Sequence, residues 1–187
     1  MKFFQSARRF LPLAVLILLI GGMVSFALWS SQPMSLRPEE LTPVSDSSSP
    51  YPGTELSLEM DGAHLLLTFI NRSDAHLTSG ASVRQDKTLH FSGGLQVLLD
   101  GQWYFVPHKD YATAGVGLEL GPGDSVSGEY SISPIYGRLP DGQYRLPFHY
   151  WRREPGSDAP LSQQPSYISY ASFIVSDGQY VLADQNA

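Results

Sequence analysis

Between Thr54 and Ser176 large apolar residues recur at every second position. Leu56, Leu58 and Met60 form one such set, and Leu65, Leu67 and Phe69 a second. Leu95, Val97 and Leu99 precede an Asp100-Gly101 pair and the run Trp103-Tyr104-Phe105-Val106, the pattern of a hairpin. Val116, Leu118 and Leu120 run into Gly121-Pro122-Gly123-Asp124, and Val126, Tyr130 and Ile132 follow. Tyr144, Leu146, Phe148 and Tyr150 make a sixth strand, and Ala171, Phe173 and Val175 a seventh. A period of two puts one face of each segment in a core and the other in solvent, and no window shows the i, i+3, i+4 spacing of a helix as clearly. The spacing predicts an all-β, antiparallel domain of about seven strands over residues 54–176, joined by turns, with a frayed tail over 177–187.

Ahead of this domain, residues 11–29 (LPLAVLILLIGGMVSFALW) carry no charged side chain. As a helix at about 1.5 Å per residue they reach roughly 28 Å, close to the hydrocarbon thickness of a bilayer. Lys2, Arg8 and Arg9 lie in the basic segment 1–10, and no further basic residue follows until Arg37. The positive-inside bias therefore keeps residues 1–10 in the cytoplasm and places everything after Trp29 outside. Two readings stand: an uncleaved single-pass anchor with Trp29 at the interface, or a signal segment cut after Ser25 and Ala27, which would release the protein. Residues 30–53 (SSQPMSLRPEELTPVSDSSSPYPG) repeat Pro and Ser without apolar period, which reads as a semi-extended spacer.

Charge narrows the partners. Setting Lys2, Arg8 and Arg9 aside from the 12 basic residues leaves 9 against 18 acidic ones. So acidic a balance argues against nonspecific nucleic-acid binding, which depends on neutralising phosphates. The absence of cysteine excludes disulfides, a thiol nucleophile and a lipid-modified cysteine after the apolar segment.

No catalytic pattern emerges. His64, His76, His90, His108 and His149 are scattered without metal-ligand spacing. Gly80-Ala81-Ser82 reads as a loop and not a nucleophile elbow, and Gly115-Val116-Gly117 opens no helix that would cradle phosphate. Acidic residues fall mostly at outward strand positions or in turns, which suits a solvated surface and not a catalytic pair. Asn71-Arg72-Ser73 matches a glycosylation sequon of the kind that arises by chance. Aromatics at strand positions are ordinary core residues, with Tyr104, Trp151, Tyr167 and Tyr170 the candidates for exposure. No metal and no cofactor are expected.

The stretch Leu139-Pro140-Asp141-Gly142-Gln143-Tyr144 enters the sixth strand. It reads as a tyrosine corner, in which Tyr144, set up by Asp141 and Gly142, bonds back to backbone a few residues upstream. Leu146 then occupies the place of the second disulfide cysteine. Together with Asp100 to Pro107 and the turn at residues 121–124, the region 53–176 resembles a family of bacterial immunoglobulin-like domains on exported, membrane-anchored or lipoprotein-like proteins. The resemblance implies an immunoglobulin-like β-sandwich and supplies no catalytic residues. The expected function is a non-enzymatic, membrane-tethered domain at the cell envelope, for protein binding or structural support. A carbohydrate or cell-wall polymer binding module is the alternative.

In such a sandwich the two longest connections, residues 72–93 and 152–166, share one end. They carry most of the ectodomain's basic residues, so Trp151, Arg152 and Arg153 are the candidate contacts for an envelope protein or the membrane surface.

Overall fold

Asp-Gly pairs suit two-residue hairpin turns because both central residues must take positive φ. The chain uses two of them. In the computed structural model, which describes residues 34–45, 48–62, 64–83, 88–91, 94–108, 114–154, 156 and 159–183, Asp100 and Gly101 have φ of 50° and 81° and close β5 (Gln96–Leu99) onto β6 (Gln102–Phe105). Asp177 and Gly178, at 52° and 72°, close β10 (Ser166–Ser176) onto β11 (Gln179–Leu182). The residues after Asp177, expected to fray, thus add a strand.

The expected all-β architecture is present. Among the described residues eleven strands lie in one hydrogen-bonded network, antiparallel apart from the short pairing of β4 (Leu89–His90) with β8 (Ser125–Ser131). Among the described residues helix is confined to a single turn, α1 (Ser133–Tyr136), and two 3-10 turns at Pro38–Glu40 and Leu161–Gln163. No described helix is long and apolar enough to cross a membrane, and residues 11–29 lie outside the described residues.

β1 (Thr54–Asp61), β2 (His64–Asn71) and β8 pair side by side, and β11, β10, β9 (Gly142–Arg152), β5 and β6 form a second such group. Their facing alternate residues make the core. Leu65, Leu67 and Phe69 come from one side, and Tyr144, Leu146, Phe148, Tyr150, Ala171 and Phe173 from the other, each at most 2% exposed. β3 (Leu77–Val83) and β4 join the groups along one flank, through β8–β4–β3–β9, so the sheet curls around the core almost as a barrel does.

That flank corrects the expected long connection over residues 72–93. Gly80-Ala81-Ser82 is not a loop but the middle of β3, which pairs along its whole length with β7 (Ala114–Leu120). Small side chains alternate there without a hydrophobic signal, and the pairing partners supply what the local sequence does not. Residues 42–44, inside the Pro/Ser-rich stretch, run against β6: Val44 N–H donates to Trp103 O at 2.8 Å, Phe105 N–H to Thr42 O at 3.0 Å, and the Val44 side chain is buried.

Candidate functional site

β9 is shared by two different strands on one edge. β5 pairs with residues 143–145 and β3 with residues 150–152, and among the described strands no ladder pairing joins the stretch of β9 between them on that side. Ser79 Oγ donates to His149 O across the gap at 2.6 Å, so His149, and by period two Pro147, turn their backbone groups toward it. Proline at position 147 has no N–H to leave unsatisfied there.

The fork opens an outward groove of about 440 Å³. Its floor is Gly80 opposite Gly117 and Ser82 opposite Gly115, and its walls include Trp151, His149, Pro147 and Phe91. A methyl group built on Gly80, Gly115 or Gly117 would meet no atom within 4 Å, and none of these glycines has a positive φ. Neither packing nor backbone conformation therefore demands glycine, although glycine weakens a strand interior. What the three have in common is that each keeps the groove open, as glycines do where a ligand or another chain approaches closely.

Of the residues singled out in the sequence, Trp151 forms part of the groove wall. Arg153 lies at the same end: its N–H donates to His76 O at 2.9 Å, and its guanidinium meets Glu119 of β7 at 3.1 Å. This ion pair is exposed and contributes at most about 1 kcal/mol. Arg152 alternates to the opposite face, its guanidinium 5.8 Å from the Tyr51 ring centre. The three therefore do not form one surface. Tyr104 and Tyr167 are half-buried against the core and make no exposed row.

Tyr144 is fully buried, and its hydroxyl donates to Pro140 O at 2.7 Å, the back-bond expected of it. Gly142 begins β9 two residues ahead of it, and Asp141 Oδ1 lies 3.5 Å from the Gly178 backbone N. Burial, then the nearby Tyr180 and Asp141, push the Tyr144 phenol well above the ordinary tyrosine value. The folded state thus favours the neutral phenol. This stabilisation is complete below the unfolded value of about 10 and is lost as pH rises through it toward the folded one. Tyr144→Phe is expected to cost about 1 kcal/mol at neutral pH and to flatten the loss of stability in alkali, read by urea titrations across that range. Equal stability and an unchanged alkaline profile would show that the hydroxyl bond contributes nothing.

Further along the outward face of β9 sits a residue whose role the strand pattern does not reveal. Arg145, between the inward Tyr144 and Leu146, places its guanidinium carbon 4.1 Å from the Trp103 ring centre and 3.8 Å from that of Tyr170. Its Nε–H donates to Oε1 of the buried Gln96 at 2.7 Å. Burial lowers its pKa, opposed by Tyr170. The legible signal was a charged residue set between the inward Tyr144 and Leu146.

Asn71, first residue of the sequon, is fully buried and donates from Nδ2 to three backbone carbonyls, so in the folded chain it is no glycosylation acceptor. Among the described residues no group of three or more His, Asp and Glu side chains is placed to hold a metal ion. No family model matches the chain, and comparison with curated proteins and with solved structures gives no match.

Proposed function

We propose that this protein is a non-enzymatic binding domain of immunoglobulin-like type, displayed outside the membrane by its N-terminal apolar segment, and that it binds a protein of the cell envelope in the groove between β3 and β9. The groove carries the reading: an open, aromatic-walled cleft on a sheet face, kept clear by glycines that the fold itself does not require.

The topology supports the immunoglobulin-like type. β1, β2 and β8 correspond to strands A, B and E, and β10, β9 and the β3/β5 line to G, F and C, with the Tyr144 back-bond at the corner into F. β4, between β3 and β8, then closes one side of the sandwich. Lys2, Arg8 and Arg9 ahead of an uncharged segment support the orientation.

Two measurements test the proposal on the full-length protein. A C-terminal tag should be cut by protease added to intact protoplasts, and the chain should stay with membranes after alkaline carbonate extraction. Protection of the tag would reverse the topology, and release into the wash would replace the anchor by a cleaved signal. A photo-crosslinker in place of the exposed His149 should give a discrete adduct in cells, and Gly117→Val should abolish it. Since the added side chain enters open space, Gly117→Val should leave stability unchanged or raise it by about 0.5–1 kcal/mol. An undiminished adduct in this folded variant would place the binding surface elsewhere.

A further inference from the structure

The outward face of β9 continues from the groove wall, Trp151, His149 and Pro147, to Arg145. Cross-strand pairing sets Arg145 in a row with Ser172 on one side and Gln96 and Phe105 on the other. The adjacent row is Val181, Ile174, Gln143, Leu98 and Trp103. Val181 is 52% exposed, Ile174 40% and Phe105 39%. A guanidinium is thus held at the centre of a largely apolar outer face.

Its fixation is unusually complete for a charge with no acidic partner among the described residues. The Trp103 and Tyr170 rings hold the guanidinium by cation–π contact, and the bond from Nε to Gln96 fixes its rotation. Arginine has no acceptor of its own, and among the described residues no carboxylate lies within ion-pair distance of it. The terminal nitrogens form a rigid fork that matches a carboxylate in bidentate fashion. A half-buried charge is ordinarily paired, because desolvating it without a counter-charge is costly.

We infer that Arg145 is a preorganised seat for a carboxylate, and that the partner supplies it as a Glu or Asp side chain flanked by apolar residues. Charge complementarity selects the anion, and the aliphatic rim of Ile174, Val181 and Leu98 selects apolar side chains, where a sugar acid would want free ring faces and polar donors. The inference names the chemistry of the partner and rests on the reading of this sheet face as a binding surface. Its test needs no cellular partner, so the two can fail separately.

The probe is a capped Val-Glu-Val peptide, titrated into full-length protein in detergent micelles carrying 5-fluorotryptophan. The chain has three tryptophans, so the Trp103 fluorine signal is assigned by Trp103→Phe. The peptide should move the Trp103 signal saturably. Val-Gln-Val should bind at least about tenfold more weakly, the scale of a lost charge-assisted hydrogen bond. Arg145→Gln should abolish the response, and Arg145→Lys, which keeps charge but not fork or stacking, should weaken it severalfold. A Trp103 signal that ignores the peptide, or shifts equally in a folded Arg145→Gln protein, would overturn the inference. Stronger binding of glucuronate or inorganic phosphate than of the peptide would overturn it too, by making the ligand a sugar acid or a phosphate.

Discussion

Replacing Asn71 by alanine is expected to cost about 3–5 kcal/mol, far more than the small side chain removed would suggest. Asn71 Nδ2 donates to Ala75 O at 2.8 Å, Gly121 O at 3.0 Å and Leu120 O at 3.1 Å, while Oδ1 accepts from Ser73 N–H and Ser73 Oγ at 3.1 and 2.6 Å. One side chain, with no exposed surface, therefore ties the end of β2, the turn after it and the end of β7. Truncation leaves these carbonyls and the Ser73 donors without it in a site that is buried at Leu120 O and partly buried at the others, and each buried orphan costs about 1–3 kcal/mol. Asn71→Asp separates this cause from packing. It preserves the shape and the Oδ1 acceptor but turns a donor facing three carbonyls into a buried anion, so it should be at least as damaging as alanine. Urea unfolding of the three proteins decides the matter. An aspartate variant near wild-type stability would mean that shape, not hydrogen bonding, explains the residue.

Phe69→Ala is expected to cost about 3–5 kcal/mol through the cavity it leaves at the junction of the two strand groups. The ring is fully buried, its centre 4.6 Å from that of Phe148 and 4.8 Å from that of Tyr150. The Tyr150 hydroxyl in turn accepts from Tyr51 N–H and meets Thr54 Oγ1, both at 2.8 Å, and Ser169 Oγ at 3.2 Å. Loss of Phe69 removes the support of a ring that anchors the start of β1 to β10. Phe69→Leu, which refills most of the volume, should cost less than about 1.5 kcal/mol. In a double-mutant cycle with Phe148→Ala the losses should fall short of additive by about 0.5–1.5 kcal/mol, the scale of an aromatic pair. Strict additivity would show that the two rings are energetically independent.

The contrast between the two Asp-Gly hairpins shows how far local patterning reaches. Asp100-Gly101 is legible because alternating apolar residues flank it on both sides, whereas Asp177-Gly178 leads only into Gln179-Tyr180-Val181-Leu182, four residues with little pattern of their own. The same turn chemistry operates in both, and β11 forms on the edge of β10 that β9 leaves open. Period two likewise placed Tyr144, Leu146, Phe148 and Tyr150 inward on β9, and the Leu139–Tyr144 stretch pointed to the back-bond from Tyr144, since both depend on residues close in the chain. β3 carries only small residues at its centre, and its strand state comes from β7 and β9, partners 31 or more positions away. The groove exists because β3 leaves β9 after Ser79 and β5 takes up the same edge earlier along β9, a choice made between distant partners. Arg145 acquires its setting the same way, from Trp103 on β6 and Tyr170 on β10. By itself the sequence determined the strand class, the inward faces and the tight turns, because alternation and turn conformation are local properties of the backbone. Only the tertiary structure decided which strands share an edge and which side chains meet across the outer face, because hydrogen-bond ladders can join any two extended segments and the register between them is set by the whole core.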